Sequence, residues 1–381
     1  MTTMDGCERW AYVALGCLAE PGGKDLHDLV RTLGPPAAAL RLAAGNPRLG
    51  GDADSVWALA RDRLAEADRL GARIVVPGDA EWPAYRLDDL ARISRPPKKH
   101  AAGTVDRDVY PPMCIWVRGA LPLDEAVAKS VAVVGARAST PYGEHVASEL
   151  GYGLAGNGYT VVSGGAFGID AAAHRGALAA GGPTIAVLAC GVDRAYPLSH
   201  ATLLERVAET GLVMSEWPPG SNPLRFRFLV RNRVIAALTR GTVMVEAAAR
   251  SGSRQTLHRA MQLGRAAMAV PGPVTSALSV GCHEELRKIM VRPVASVAHV
   301  LEEVGRIGDD LAPPAVGPAR PHDDLDDIEL RVMDAIPVRT AAPIAQIVRE
   351  SGVAVRDAMA KLSGLVTRGL LVEEAGRYRL P

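Results

Sequence analysis

Residues 163–174, which read Ser-Gly-Gly-Ala-Phe-Gly-Ile-Asp-Ala-Ala-Ala-His, have the composition of a turn that could bind an anion. They follow the apolar run 159–162 and precede an alanine-rich stretch, an order that predicts a strand, a turn and a helix. Glycine lets the backbone approach a ligand, and the free N–H groups at the start of a helix favour phosphate. A tight strand-to-helix turn without a ligand explains the same residues, so this segment alone leaves both interpretations open.

A second segment, 222–233, interleaves arginine with phenylalanine and is the strongest indication of nucleic-acid binding. The chain has only three Phe, and two of them, Phe226 and Phe228, lie here among four arginines. A guanidinium pairs with phosphate, and an aromatic face accepts an unstacked base, which suits single-stranded nucleic acid. We predict DNA contact for Arg225 and Phe228, whereas a structural hydrogen-bonding role fits Arg233 better.

Two titratable residues in the glycine-rich segment could do proton chemistry. Asp170 and His174 are spaced i, i+4 and could form an acid–base pair on one helical turn. No nucleophile, metal cluster or second carboxylate of the sequence clearly joins them, which favours helix capping or core hydrogen bonding. The arginines also have a second interpretation, because Arg231 and Arg233 could neutralise Asp170 or Glu246 instead of contacting DNA.

Buried strands are needed to position these segments. Apolar runs at 130–134, 184–189, 241–247 and 266–270 alternate with helical stretches, which predicts a parallel sheet covered on both faces. The runs end in glycines, hydroxyl residues or Arg137, and ligands of such sheets bind beyond the carboxyl ends of the strands. The predicted fold class is therefore α/β, an extended Rossmann-like parallel sheet.

Residues 151–156 match the dinucleotide-binding pattern Gly-x-Gly-x-x-Gly letter for letter. That pattern has meaning only directly after a strand, and here it lies late in a predicted helix, so it indicates close helix packing. The sequence also has no phosphate-binding loop with a Gly-Lys-Ser/Thr ending. We therefore expect no bound ATP, no other cofactor and no metal.

Changes in composition along the chain predict four segments. A helical module covers 1–72, and the Rossmann-like domain covers 73–308, including an irregular extension with a polar loop at 96–110. A Pro- and Ala-rich linker covers 309–324. Three helices and a hairpin over 325–381 predict a winged-helix domain, which could read DNA or dock to a protein.

The overall composition sets the class of protein. The chain has 381 residues, 48% of them hydrophobic and 22% charged, with a net charge of +1, so any basic site must be local. Its five cysteines are scattered and form no Cys-x-x-Cys pair, which suits a reducing compartment. Because the first residues also lack the pattern of a signal peptide, we expect a cytoplasmic protein.

Taken together, these motifs resemble the DprA/Smf family, the DNA-processing proteins of bacteria. The resemblance is close over 131–285. It is carried by Val-Gly-Ala-Arg at 134–137, Thr-Pro-Tyr-Gly at 140–143, the segment 163–174, Cys-Gly-Val-Asp at 190–193, Ser-Glu-Trp-Pro-Pro-Gly at 215–220, Arg-Asn-Arg at 231–233, Val-Glu-Ala at 245–247, Ser-Gly-Ser at 251–253 and Ala-Val-Pro-Gly at 269–272.

The resemblance implies a protein that binds single-stranded DNA, forms a homodimer and delivers the DNA to the recombinase RecA, as in natural transformation. It implies DNA contact by Arg137, and by a basic and an aromatic residue that map to Arg225 and Phe228. Two positions depart from the family pattern. Leu229 stands where Pro is usual, and Arg254 stands where Leu is usual and could add a phosphate contact.

The complete predicted DNA site draws on four segments and contains no catalytic residue. Its members are Arg137, Ser139, Ser163, Gly164, Gly165, Arg225, Phe228, Arg231, Arg233, Ser251, Gly252, Ser253 and Arg254. One alternative is a nucleotide N-glycosidase on a similar fold, although 251–256 lacks the glutamate that ends the motif of such enzymes. Another alternative is a winged-helix regulator in which the α/β domain senses a ligand.

Overall fold

The computed structural model describes residues 6–46, 52–93, 109–305, 311–312 and 322–381. The chain divides into two compact units, Met1–Ala312 and Pro313–Pro381. Most of the predicted polar loop and of the predicted linker lies outside the described residues.

The first unit is built on a nine-stranded sheet whose order is β1-β2-β6-β5-β4-β3-β7-β8-β9. The strands are β1 Ala72–Val75, β2 Ile115–Arg118, β3 Ser130–Val134, β4 Thr160–Ser163, β5 Thr184–Leu188, β6 Leu212–Ser215, β7 Gly241–Met244, β8 Ala266–Ala269 and β9 Val291–Pro293. In the spatial order of the sheet, every pair of neighbouring strands between β6 and β9 is parallel, as predicted.

The prediction of a wholly parallel sheet is wrong at one edge, where β1 and β2 run antiparallel to their neighbours. Ile115, Trp116 and Val117 of β2 are all buried. A strand that is buried on both faces is apolar throughout, whether it runs parallel or antiparallel to its neighbours. Its sequence therefore does not reveal its direction. Strands β1, β6 and β9 were also missing from the predicted set.

Helices cover both faces of the sheet. They are α1 Gly6–Leu18, α2 Lys24–Leu33, α3 Pro35–Ala44, α4 Ala53–Arg69, α5 Ala84–Leu87, α6 Asp89–Ile93, α7 Leu123–Ala128, α8 Pro141–Gly156, α9 Ile169–Ala179, α10 Ala201–Thr210, α11 Arg225–Leu238, α12 Gly252–Gln262, α13 Val280–Leu286 and α14 Val297–Val304. Successive residues of β3 enter different cores, Val131 and Val133 on one face, Ala132 and Val134 on the other. This alternation confirms a sheet that is buried on both sides.

The amino-terminal helices α1 to α4 all lie within the stretch 1–72 that the sequence predicts to be helical. They share one hydrophobic core with the sheet, to which Trp116 and Ile74 contribute. The module is therefore packed directly onto the sheet and belongs to the same compact unit.

The Gly-x-Gly-x-x-Gly match lies inside α8, as predicted, and its glycines allow close packing. A Cβ atom on Gly151 would collide with the carbonyl oxygen of Ala173 in α9, and one on Gly153 would collide with Val297. These positions require glycine because the helices approach each other closely, not because a nucleotide binds there.

The second unit has three helices and a small antiparallel sheet of order β10-β12-β11. Its elements are α15 Asp327–Asp334, β10 Ala342–Pro343, α16 Ile344–Ser351, α17 Val355–Thr367, β11 Val372–Glu374 and β12 Arg377–Arg379. The three helices and the hairpin fall where the sequence predicts them, whereas β10 was not predicted. Val332, Ile347 and Leu362 are buried in a core of its own. In neither unit do the described residues include a helix long and apolar enough to cross a membrane.

Candidate nucleic-acid interface

The order of the strands creates a crevice at the carboxyl end of β3. The chain runs from β3 through β4 and β5 to β6 on one side, and α11 then returns it to β7 on the other side of β3. In open α/β sheets this reversal of strand order marks the place where ligands bind. A cleft of about 340 Å³ opens there, lined from the β3 side, the β7 side and α11.

The β3 side of the cleft is a loop that presents Arg137. Gly135 must be a glycine, because a Cβ atom there would lie 2.5 Å from Ile169 Cγ1. Thr140 anchors the end of the loop by donating from its backbone N–H and hydroxyl to Glu246, at 2.9 and 2.6 Å. The Arg137 side chain is exposed, and its guanidinium carbon lies 4.8 Å from the centroid of the Phe228 ring.

The β7 side of the cleft is formed by residues 248–253, which lead into α12. Ser251 caps this helix, with its hydroxyl accepting from the Ser253 N–H at 3.4 Å. Ser251 and Gly252 line the cleft at its rim, and Ser253 lies deeper, 8% exposed. Arg250 is exposed beside them, although it was not in the predicted set. Its position three residues after the Val-Glu-Ala motif, and directly before the predicted Ser251, could have identified it.

The glycine-rich turn uses its polar groups internally. The Asp170 carboxylate accepts hydrogen bonds from the N–H groups of Gly164, at 3.0 Å, and Ala166. The hydroxyl of Ser163 donates to the Val133 carbonyl at 2.6 Å, and Gly165 accepts from a histidine ring. Since Ser163, Gly164 and Gly165 are all buried, the structure favours the strand-to-helix turn over a phosphate-binding turn.

Asp170 and His174 are core residues, which agrees with the structural role that their sequence context favours. Burial raises the pKa of the Asp170 carboxyl, and the nearby Arg231 guanidinium opposes that rise. His174 Nδ1 lies 2.7 Å from the Thr184 hydroxyl, which itself donates to the Val161 carbonyl. The imidazole must therefore donate from Nδ1, and burial lowers its pKa to about 3. Each has its own hydrogen-bond partners, and the two form no acid–base pair.

The first turn of α11 carries Arg225 and Phe228, the two residues of this segment for which DNA contact is predicted. Arg225 is exposed at the start of the helix and forms no ion pair or hydrogen bond with other described residues. Phe228 is half-buried against Trp217, with one face under Arg137. Leu229, which departs from the family pattern, is 47% exposed and lines the cleft without breaking the helix.

Arg231 and Arg233 point into the protein. Arg231 donates to the carbonyls of Gly164, at 2.8 Å, and Val187, and burial lowers its pKa to about 10. Arg233 is 1% exposed and forms a bidentate ion pair with Glu216 at 2.6 and 2.7 Å. Glu246, one of the two carboxylates that these arginines could have neutralised, is instead bound to the loop after β3. These arginines hold strand ends and α11 in place.

Arg254 and Ser139 also have internal partners. Arg254 pairs with the fully buried Glu285 at 2.7 Å and donates to the Ala249 carbonyl, so it supports the turn that carries Arg250. Ser139 donates to Glu144 at 2.7 Å. Of the thirteen predicted residues, the structure thus brings Arg137, Phe228, Arg231 and 251–253 to one cleft, with Arg225 on the adjoining helix end.

The described part of the chain contains no group of three or more His, Cys, Asp or Glu residues that could hold a metal ion. The cleft instead combines exposed guanidinium groups with an aromatic ring and small polar residues. Such a surface can bind phosphates and flat bases, and nothing in its lining forms a nucleophile–base pair.

Comparisons with known proteins agree with this chemistry. The family model for DNA recombination-mediator protein A matches residues 74–305. The putative DNA processing protein DprA of Mycobacterium tuberculosis is 41% identical over 378 residues, covering 97% of this chain and 93% of that protein. The X-ray structure of DNA processing protein A from Streptococcus pneumoniae aligns with a TM-score of 0.60 and 29% identity, covering 80% of this chain and 100% of that chain.

Proposed function

This chain belongs to the DNA recombination-mediator protein A family, also called DprA/Smf, and we propose that it binds single-stranded DNA in the cleft beside β3 and presents it to RecA. A role in DNA processing and recombination follows from the family itself. The single-strand preference, the residues that bind and the transfer to RecA are our proposals.

The observation that carries the proposal is the Arg137 guanidinium lying over the Phe228 ring at the mouth of the cleft. A guanidinium there can pair with a phosphate, while the neighbouring aromatic edge can contact a base. Exposed Arg225 and Arg250 add positive charge on either side. Bases are free to stack on a protein only when they are unpaired, so this surface favours a single strand over a duplex.

A gel-shift comparison of single-stranded and blunt duplex DNA tests the proposal. We expect binding of the single strand without ATP, weaker binding at higher salt because phosphate contacts release counterions, and poorer binding of the duplex. Equal affinity for the two forms of DNA would contradict the single-strand preference. Turnover of nucleoside monophosphates would support the alternative of a nucleotide-hydrolysing enzyme.

The RecA step is tested on strands already coated with a competing single-stranded DNA-binding protein. We expect the full chain to accelerate RecA filament formation on such strands, and an Arg137→Ala variant to lose most of this effect. We also propose a homodimer formed through the α/β unit. Light scattering of the full chain tests the dimer. A monomer mass at tens of micromolar, on the order of assay concentrations, would contradict it.

We propose that the unit Pro313–Pro381 is a winged-helix domain, supported by its three helices and carboxyl-terminal hairpin. The exposed side of α17 carries Val355 and Met359, 55% and 57% exposed, beside Arg356 and Asp357. This mixed, partly apolar surface favours docking to a protein over duplex reading. A chain ending at residue 305 should therefore keep its affinity for single-stranded DNA, and its affinity for duplex DNA should equal that of the full chain.

A further inference from the structure

Exposed aromatic rings concentrate at one end of the sheet. Among the described residues, the Phe and Tyr side chains exposed by 40% or more are Tyr85, Tyr142, Tyr152, Phe167, Tyr196 and Phe226. Three of these, Phe167, Tyr196 and Phe226, lie at the carboxyl edge on the β4–β6 side of the cleft. Isolated exposed apolar residues are ordinary, but a row at a binding edge is not.

The three rings follow the order of the strands. Phe167 comes after β4, Tyr196 after β5, and Phe226 lies on the segment that leaves β6 and begins α11. Neighbouring strands are about 4.8 Å apart, so the carboxyl ends of β3 to β6, from the cleft to the last of the three segments, span about 15 Å. The row therefore leads away from the cleft in one direction.

Each ring is supported from one side and open on another. Phe167 meets the buried His200 ring edge-on, with centroids 4.8 Å apart, and His200 is fixed by a 3.0 Å hydrogen bond with the Gly165 carbonyl. The Tyr196 ring lies 5.4 Å from that of Phe228. Phe226 lies below the Arg227 guanidinium at 5.9 Å. These contacts limit ring motion while 42–49% of each residue stays in solvent.

The row is continuous with the cleft. Ala166 lines the cleft and directly precedes Phe167, and Phe228, another lining residue, contacts Tyr196. Arg137 and Arg225 are exposed near this path, so a strand following the rings would keep its phosphates close to positive charge. Aromatic faces beside guanidinium groups are the chemistry that binds unpaired bases without sequence preference.

We propose that Phe167, Tyr196 and Phe226 form a second stacking surface, the aromatic edge, which takes the bases of the DNA segment that leaves the cleft toward β6. This inference rests on the proposed binding of single-stranded DNA in the cleft and specifies the direction of the strand. Short strands then occupy the cleft alone, and longer strands occupy the cleft and the aromatic edge.

The test compares labelled thymidine oligonucleotides of roughly 4 and roughly 16 nucleotides, the range of single-strand site sizes, by fluorescence anisotropy on the full chain. For the Phe167→Ala, Phe226→Ala double variant, which leaves the contact between Tyr196 and Phe228 intact, we expect a loss of about 25-fold on the long strand, about fivefold for each ring removed. Affinity for the short strand and the salt dependence should stay as in the unchanged protein, because stacking releases no counterions.

Two further variants control the experiment. Tyr152→Ala removes a similarly exposed ring, 55% exposed, from α8 outside the aromatic edge and should leave both affinities unchanged. The Phe167→Tyr, Phe226→Tyr double variant keeps both rings and should bind the long strand normally. If it loses affinity as the alanine variant does, the rings do not act by stacking and the inference is wrong.

Other outcomes separate this inference from the function on which it rests. If the unchanged protein binds neither oligonucleotide, the proposed function fails. If the unchanged protein binds both oligonucleotides and the alanine variant binds them equally well, DNA binding in the cleft is supported and the aromatic edge does not bind DNA. An alanine variant that keeps its long-strand affinity but no longer promotes RecA filaments would identify the edge as a protein-binding surface and overturn the inference.

Discussion

The guanidinium of Arg137 covers one face of the Phe228 ring, 4.8 Å from its centroid, although the two residues are ninety-one positions apart in the chain. The loop after β3 supplies the cation, and the first turn of α11 supplies the ring. A cation over a ring is held mainly by electrostatic attraction, which a phosphate can compete for. In the proposed function, the pair would therefore supply a phosphate contact and a base contact in one place.

Variants of this pair should separate charge from stacking. Arg137→Ala should weaken binding to all single strands and reduce the slope of log K against log salt by about 0.7, one phosphate's share. Arg137→Lys keeps the charge and should keep the slope. Arg225→Ala should behave as Arg137→Ala does. An unchanged slope in Arg137→Ala would show that this side chain contacts no phosphate.

Replacement of the ring should act differently. Phe228→Leu keeps apolar volume against Trp217 and removes the aromatic face, so we expect a loss of about 1–3 kcal/mol in binding free energy with little change in salt slope. Melting temperature is measured on the same variant. A large drop in melting temperature with normal affinity per folded molecule would show that Phe228 is only a core residue.

The buried Arg233–Glu216 ion pair should matter for stability and not for the salt dependence of binding. Arg233→Met leaves the Glu216 carboxylate buried without its partner and should lower the free energy of unfolding by about 3–5 kcal/mol. Arg292→Met is the matched control, because its ion pair with Glu303 is exposed and contributes at most about 1 kcal/mol. Urea unfolding compares the two. Similar losses in both would contradict the assigned role of Arg233.

Alanine substitutions in the Gly-x-Gly-x-x-Gly match should change stability according to the space around each glycine. Gly151→Ala should destabilise the fold, since its Cβ would collide with the Ala173 carbonyl, whereas a Cβ on Gly156 meets nothing within 4 Å. Gly156→Ala, within the same motif, should be neutral or stabilise the helix by up to about 1 kcal/mol. If both variants were equally stable but lost binding of a nucleotide, the motif would be a ligand site after all.

His174 should make stability depend on pH. Its folded pKa, about 3, lies below the ordinary value of 6.5, so between these values the unfolded chain binds a proton that the folded chain does not. Stability should therefore fall as pH falls from 6.5 toward 3, with a contribution of up to about 1.4 kcal/mol per pH unit. His174→Gln should remove this contribution. The free energy of unfolding of both proteins, measured between about pH 5 and pH 7, where histidine titrates, tests this prediction.

The sequence alone determined the central strands β3, β4, β5, β7 and β8, their parallel direction and the end of the sheet where the candidate site lies. Continuous apolar runs separated by helices have few other solutions, and a parallel sheet brings the following residues to one edge. The glycine pattern in α8 was also correctly assigned to packing, because its position relative to the strands excludes a phosphate turn.

Only the tertiary structure decided which arginines of this segment are exposed and which are buried. Arg225, Arg231 and Arg233 lie within nine residues, yet the first is exposed and the other two are buried. From Val230 to Leu238 the helix α11 is buried on every side, so no periodicity distinguishes an inner from an outer face. The partner carboxylate Glu216 and the carbonyls at the ends of β4 and β5 meet these arginines only through long-range packing, which a sequence pattern does not specify.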